Sequence, residues 1–190
     1  HAGSDLGVLK TRAERRDDGS YRIFGQKIYI TWGEHDAAEN IIHLVLARIE
    51  GAPAGTKGIS LFLVPKILVN EDGSLGSRND LVCAGIEHKL GIRASATCEI
   101  EFADYVAQPD EVLGAEGEGF KTAMSVLDAG RIGIASQAVG VARAAYEATL
   151  AYVKERKAFG AAIGTFQMTQ AKIADMKCKL DAALLLTLRA

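Results

Sequence analysis

Near residue 115 the hydrophobic period of this chain changes. Before it, apolar residues alternate with polar ones or come in short runs; after it they recur every three or four residues. A chain patterned this way places strands first and helices second, which is an α+β class and not an alternating βαβ fold. "YRIFGQKIYIT" (Tyr21–Thr31) alternates and follows the turn-forming "DDGS". "IIHLVLARI" (Ile41–Ile49) and "GISLFLVPKI" (Gly58–Ile67) are apolar runs bounded by Gly and Pro. "LVCAGIE" and "TCEIEFADYV" bring the count to at least five strands. No helical period separates them, so an antiparallel barrel or sandwich is favoured. "NEDGSLGSRND" (Asn70–Asp80) reads as a long polar loop.

From Glu118 onward Phe120, Met124, Leu127, Ile134, Ala138, Val141, Ala145 and Tyr152 keep three- and four-residue spacing, predicting one helix to Arg156. At the α-helical rise it would be roughly 58 Å long. The glycines of "KAFGAAIGTF" break it. A second helix is predicted from about Gln167 to the end, with Ile173, Met176, Leu180 and Ala183 on one face. Two helices cannot bury both stripes alone, so part of a helical bundle is implied, completed by further helices or partner chains. The chain therefore divides into residues 1–115, a β domain, and 116–190, two helices of a bundle.

At 190 residues the chain can bury a core without a disulfide or metal staple. Its 22 basic and 24 acidic residues, net −2, exclude a strongly basic nucleic-acid binder. The charge is uneven: residues 1–116 carry 12 basic and 18 acidic side chains, residues 117–190 carry 10 and 6. The basic second half can hold anionic ligands or simply carry exposed helix lysines. Cys83, Cys98 and Cys178 are an odd count with no C-x-x-C spacing, so neither a zinc site nor a disulfide framework is indicated, and a reducing compartment fits. No apolar run approaches the ~18 residues of a membrane span, and His1 opens no signal peptide. With no initiating Met and an uncapped end in "DAALLLTLRA", the chain reads as part of a longer protein.

Arg131 breaks the first helix's apolar seam between Leu127 and Ile134. Asp128 lies three residues earlier, which allows a local ion pair. A guanidinium held where a phosphate or amide docks is the other reading.

Several motifs, in order, resemble the acyl-CoA dehydrogenase family. They are "HAGSDLG" (1–7), "GQKIYIT" (25–31), "ARIEGAPAGTKGISLFLV" (47–64), "HKLGIRASATCEIEF" (88–102), "VLGAEGEGFKTAM" (112–124) and "LDAGRIGIASQAVGVARAA" (127–145). "ERKAFGAAIGTFQMTQAKIADM" (155–176) is similar to the family's flavin-contacting loop and the helix after it. "ITWGEHDAAEN" and the 64–80 loop resemble the methylthiopropionyl-CoA and long-chain-like branch, the second half the short-chain branch. The resemblance implies an antiparallel β-barrel domain followed by part of an α-helical (four-helix) bundle. It implies FAD as cofactor and oxidation of an acyl-CoA thioester to 2,3-enoyl-CoA. In that reaction a carboxylate takes the α-proton and the flavin takes a β-hydride. It further implies an electron-transfer flavoprotein as acceptor, a homodimer or tetramer because FAD bridges subunits, and a cytoplasmic or, in a eukaryote, mitochondrial matrix location.

Carried over residue by residue, Ser4 matches the serine that hydrogen-bonds the FAD phosphate, with Gly3 allowing close approach; alone, "GSD" is a simple turn. Tyr29 and Thr31 match an aromatic-x-Thr pair that packs on the flavin and bonds its edge, contacts that period-two geometry permits on one strand face. Tyr29 stands where relatives carry Trp, and Trp32 follows three residues later. Arg156 matches the arginine that reaches the FAD pyrophosphate of a neighbouring subunit. Phe159 and Gln167 match further cofactor contacts. Between Arg156 and Phe159, Ala158 replaces a common hydroxyl, with one hydrogen bond fewer. Without the resemblance, Arg156 is a helix C-terminal cation and Phe159 covers the helix joint. Asp128 and Arg131 match a D-x-x-R pair that touches CoA, and "RASAT" (Arg93–Thr97) a signature on a barrel strand. Gly130 occupies the position where some branches place the catalytic glutamate, so the base is expected beyond residue 190. A non-catalytic FAD- or CoA-binding module, or an acyl-CoA oxidase or flavin monooxygenase on the same fold, are the alternatives.

Overall fold

A computed structural model describes residues 3–190, so the first two residues of "HAGSDLG" lie outside the described residues. In chain order the elements are β1 (Arg12–Arg15), β2 (Tyr21–Thr31), β3 (Ile42–Ile49), β4 (Ile59–Pro65), β5 (Ile67–Val69), β6 (Leu75–Arg78), β7 (Leu81–Ile86) and β8 (Thr97–Ala107). Then follow α1 (Gly119–Glu155), the two-residue strands β9 (Lys157–Ala158) and β10 (Ala161–Ala162), and α2 (Gln167–Arg189). The chain falls into two compact units, one ending at Met124 and the other Ser125–Ala190.

The α+β class is as the periodicity predicts. Six strands form one sheet in the order β4-β3-β1-β2-β8-β7. It is an open ladder ending at β4 and β7, where the resemblance implies a closed barrel. It is nonetheless curled, because β4 meets β8 although three strands lie between them in the ladder. The curl encloses the core: Ile23, Phe62, Leu81, Ile100 and Tyr105 are almost wholly buried, and the Tyr21 and Phe62 rings meet edge-on at 5.4 Å.

Three sequence expectations are corrected. The sheet is not all antiparallel, since β1 pairs antiparallel with β2 but parallel with β3. β1, "RAER", shows no apolar alternation because only Ala13 enters the core. The polar 70–80 segment is not a simple loop: β5 and β6 pair as a hairpin, with Asp72 accepting from the Ser74 N–H at 3.0 Å in its turn. "RASAT" is largely a turn, since only Thr97 reaches a strand. Arg93 Nε donates to Lys89 O at 2.9 Å and Lys89 Nζ to Ser95 O at 2.6 Å, which closes that turn.

The segment before α1 is fastened to β4. Leu113 N–H donates to Leu61 O at 2.8 Å, and Gly117 N–H to Ser60 Oγ at 2.9 Å. Glu116 accepts two hydrogen bonds from Arg15 Nη2, at 2.6 and 2.7 Å, and one from the Tyr21 hydroxyl. These bonds, that of Tyr21 foremost, hold the Glu116 carboxyl below its usual pKa. The helices α1 and α2 run to the ends predicted, within a residue, and α1 enters the second unit at Ser125. Their predicted stripes are not fully buried: Leu127, Ile134, Val141 and Tyr152 on α1 are exposed, and on α2 Ile173, Met176 and Leu180 are half-buried while Ala183 is exposed. Among the described residues of the second unit, Val153 is the one buried hydrophobic side chain.

His43 on β3 is buried, and its Nε2 has no hydrogen-bond partner. Burial lowers its pKa from the ordinary 6.5, against a smaller opposing pull from Glu34. The unfolded chain therefore binds more protons than the folded one as pH falls through about 6.5. The stability contribution is present above that pH and is lost below it. Urea denaturation midpoints are expected to fall between pH 7 and pH 5, and His43→Gln is expected to flatten that slope.

Candidate functional site

The strand that carries Tyr29 is irregular where it matters. The β2–β8 register slips between Lys27 and Ile30, and Tyr29 and Trp32 take left-handed backbone angles, φ 61° and 56°. Bulges of this kind re-aim side chains. Tyr29 and Thr31 both stand exposed, while Ile30 between them packs on the core. A Cβ built on Gly3 would lie 3.6 Å from Tyr29 Cδ2, so the chain just ahead of Ser4 rests against this ring. Gly3 and Tyr29 are thus brought together, and Ser4 is exposed beside them. Trp32 goes elsewhere: its backbone N–H donates to Ala96 O at 2.8 Å and its ring meets that of His35 at 4.6 Å.

In the second unit the loop after α1 is a tight hairpin. Ala158 pairs with Ala161, leaving Phe159 and Gly160 as a two-residue turn with φ 51° and 81°. Positive φ at both central residues is the signature of a type I′ turn, which glycine and asparagine favour and phenylalanine does not. Phe159 is nevertheless fully exposed, and its ring meets Phe166 edge-on at 6.4 Å. It does not cover the helix joint; the turn geometry carries it out into solvent. Phe159 and Gln167 line one open depression of about 560 Å³. Arg156 opens the loop: its carbonyl accepts from Ile163 N–H at 2.8 Å. Its exposed guanidinium carries no ion pair or hydrogen bond among the described residues.

Asp128 and Arg131 form their local pair at 2.9 Å, with both side chains mostly in solvent, 71% and 67% exposed. An ion pair this exposed contributes at most about 1 kcal/mol, so it leaves both groups free to exchange it for a ligand. A Cβ on Gly130 would meet nothing within 4 Å, and no carboxylate stands at that position. Among the described residues no three His, Cys, Asp or Glu side chains could hold a metal, and the three cysteines are free. No helix of the described residues is long and apolar enough to cross a membrane.

The motif reading overlooked the backbone strain at Phe159, for which the following glycine was the one local signal.

Comparison with known proteins bears on this arrangement. Residues 1–105 match the family described as "Acyl-CoA dehydrogenase, middle domain", and residues 117–190 "Acyl-CoA dehydrogenase, C-terminal domain". Over 155 residues the chain is 44% identical to 3-methylmercaptopropionyl-CoA dehydrogenase of Ruegeria pomeroyi, covering 82% of this chain and 26% of that protein. It is 43% identical to the mitochondrial short-chain specific acyl-CoA dehydrogenase of Bos taurus, covering 99% of this chain and 42% of that one. The solved structure of butyryl-CoA dehydrogenase from Megasphaera elsdenii aligns with a TM-score of 0.83 at 39% identity, over 99% of this chain and 45% of that one. The chain spans less than half the length of these relatives.

Proposed function

The chain belongs to the acyl-CoA dehydrogenase family, and on that premise we propose that it forms the flavin- and acyl-CoA-binding core of an enzyme oxidising acyl-CoA thioesters to 2,3-enoyl-CoA. The observation that carries this reading is Phe159, an aromatic held in a left-handed turn and wholly exposed. Such strain costs on the order of 1–3 kcal/mol and persists where a side chain is kept for a ligand instead of for packing.

The donor set suits FAD. Ser4 supplies a hydroxyl for a phosphate oxygen and Gly3 leaves room for it. Tyr29 offers an aromatic face and Thr31 a hydroxyl at a ring edge. Arg156 offers an unengaged fork of donors to the pyrophosphate, with Phe159 and Gln167 flanking. FAD, when bound, supplies the hydride acceptor. Asp128 and Arg131 are assigned to CoA: the guanidinium leaves its carboxylate to meet the thioester's carrier portion, and Asp128 accepts from an amide N–H. Removal of the α-proton requires a carboxylate. Gly130 provides none, so we place that base outside residues 1–190.

We divide the chain at residue 115 into a middle domain and the first two bundle helices, which the separate family matches support. In the whole protein the electrons pass to an electron-transfer flavoprotein and the assembly is a homodimer or tetramer, located in the cytoplasm or, in a eukaryote, the mitochondrial matrix. The visible spectrum of the purified chain tests the reading. Adding FAD is expected to give bound-flavin bands that shift with butyryl-CoA but do not bleach. Absence of flavin binding would overturn the cofactor assignment, and bleaching would overturn the placement of the base.

A further inference from the structure

Lys27 sits on β2 opposite Ile100 of β8, two residues before Tyr29. It lines a small cleft of about 170 Å³ whose walls are mostly apolar, with Leu6, Leu9, Ile28, Leu44 and Leu46 among them. That volume lies well below the roughly 300–1,000 Å³ of ordinary ligand pockets, so only a short acyl-sized group fits.

Its ammonium makes no ion pair or hydrogen bond among the described residues. The nearby carboxylates are committed elsewhere: Glu99 and Glu101, which flank Ile100, both accept from Gln26 Nε2, the latter at 3.4 Å. Lys10 is the other charged side chain lining the cleft, and it adds no counter-charge. A cation here is desolvated without compensation.

We propose that Lys27 is a site of Nε-acylation by short-chain acyl thioesters, the acyl group coming to rest in this cleft. The neutral amine attacks the thioester carbonyl, a C–N bond forms and the C–S bond breaks. CoA leaves as a thiolate and takes up the proton lost by the amine, giving an amide and free CoA thiol. No oxidant, reductant or flavin is needed. The choice of donor rests on the acyl-CoA reading above, but the reaction itself does not depend on FAD binding.

Burial lowers the Lys27 pKa from 10.5 to about 8. At pH 7.5 about one-quarter of such amines are neutral, against about one in a thousand at the ordinary value. The less basic amine is a poorer nucleophile. With a Brønsted dependence of about 0.5, borrowed from thiol nucleophiles, the loss is about 20-fold and the net gain about 10-fold.

The test is incubation of the native chain with butyryl-CoA at pH 7.5, followed by peptide mass spectrometry of each lysine over time. Lys27 is expected to acylate about 10-fold faster than the exposed Lys172, with a rate that levels off above about pH 8. The preference is expected to vanish in denaturing urea, and Lys27→Arg to remove the fastest-modified site. Modification of Lys27 no faster than Lys172 in the native chain overturns the proposal, as does a preference that survives unfolding. Because neither readout involves flavin, this failure is separable from failure to bind FAD.

Discussion

Replacing Arg156 with alanine is expected to weaken FAD binding by about 10- to 100-fold while leaving the thermal midpoint of the chain unchanged. The argument is one of spare capacity. Arg156 follows the last residue of α1, is exposed, and has no side-chain partner among the described residues, so its removal breaks nothing in the folded chain. Hydrogen bonds to a charged group contribute about 1.5–3 kcal/mol, which sets the range. Lysine at this position keeps the charge but loses the fork, so Arg156→Lys is expected to recover only part of the affinity. Flavin titration with a parallel melting curve checks it. An unchanged affinity together with a lowered melting point would make Arg156 a helix-end cation and nothing more.

The second large effect concerns stability. Gly119→Ala is expected to cost about 3 kcal/mol, because a Cβ there would stand 2.5 Å from Leu61 N and against the Ser60 carbonyl carbon. Both contacts are backbone, so neither neighbour can rotate away. Gly133, on the same helix, meets nothing within 4 Å, and Gly133→Ala is expected to raise stability by about 0.5–1 kcal/mol by favouring the helix. Urea denaturation of the two variants checks both signs. Equal effects would mean that the close approach of α1 to β4 is not maintained in solution.

What could be read in advance followed from periodicity. β2 has the limits predicted for it because eleven residues alternate after a strong turn. The end of α1 and the start of α2 were legible because Gly160 and Gly164, inside the loop between them, break the helical period. β1 was not, since one alanine among three charged residues leaves no pattern. The β5–β6 hairpin was hidden for another reason: β5, "ILV", runs on from the apolar segment before it, and its partner β6, "LGSR", is exposed throughout and carries no strand pattern. At the candidate site, the family resemblance pointed to Gly3, Tyr29, Phe159 and Gln167, but not to their geometry. The positive φ of Tyr29 comes from a register slip against β8, and long-range pairing leaves no local trace. The desolvation of Lys27 likewise arises from leucines of β3 and of the segment before β1, distant in the chain.

The sheet that ends instead of closing has a consequence for self-association. Every open ladder offers unpaired N–H and C=O groups that another strand can join. At β4 that offer is already taken up, because residues 112–118 bridge to Phe62 and Ile59 and bond Leu61. At β7 no further strand pairs among the described residues, and Val82 and Ile86 are exposed along it. Yet β7 is only six residues long and is kinked where its register slips between Cys83 and Gly85. A short, bent border is a poor template for an incoming strand. The fold thus leaves one border free while denying it the straight run that stacking copies would need.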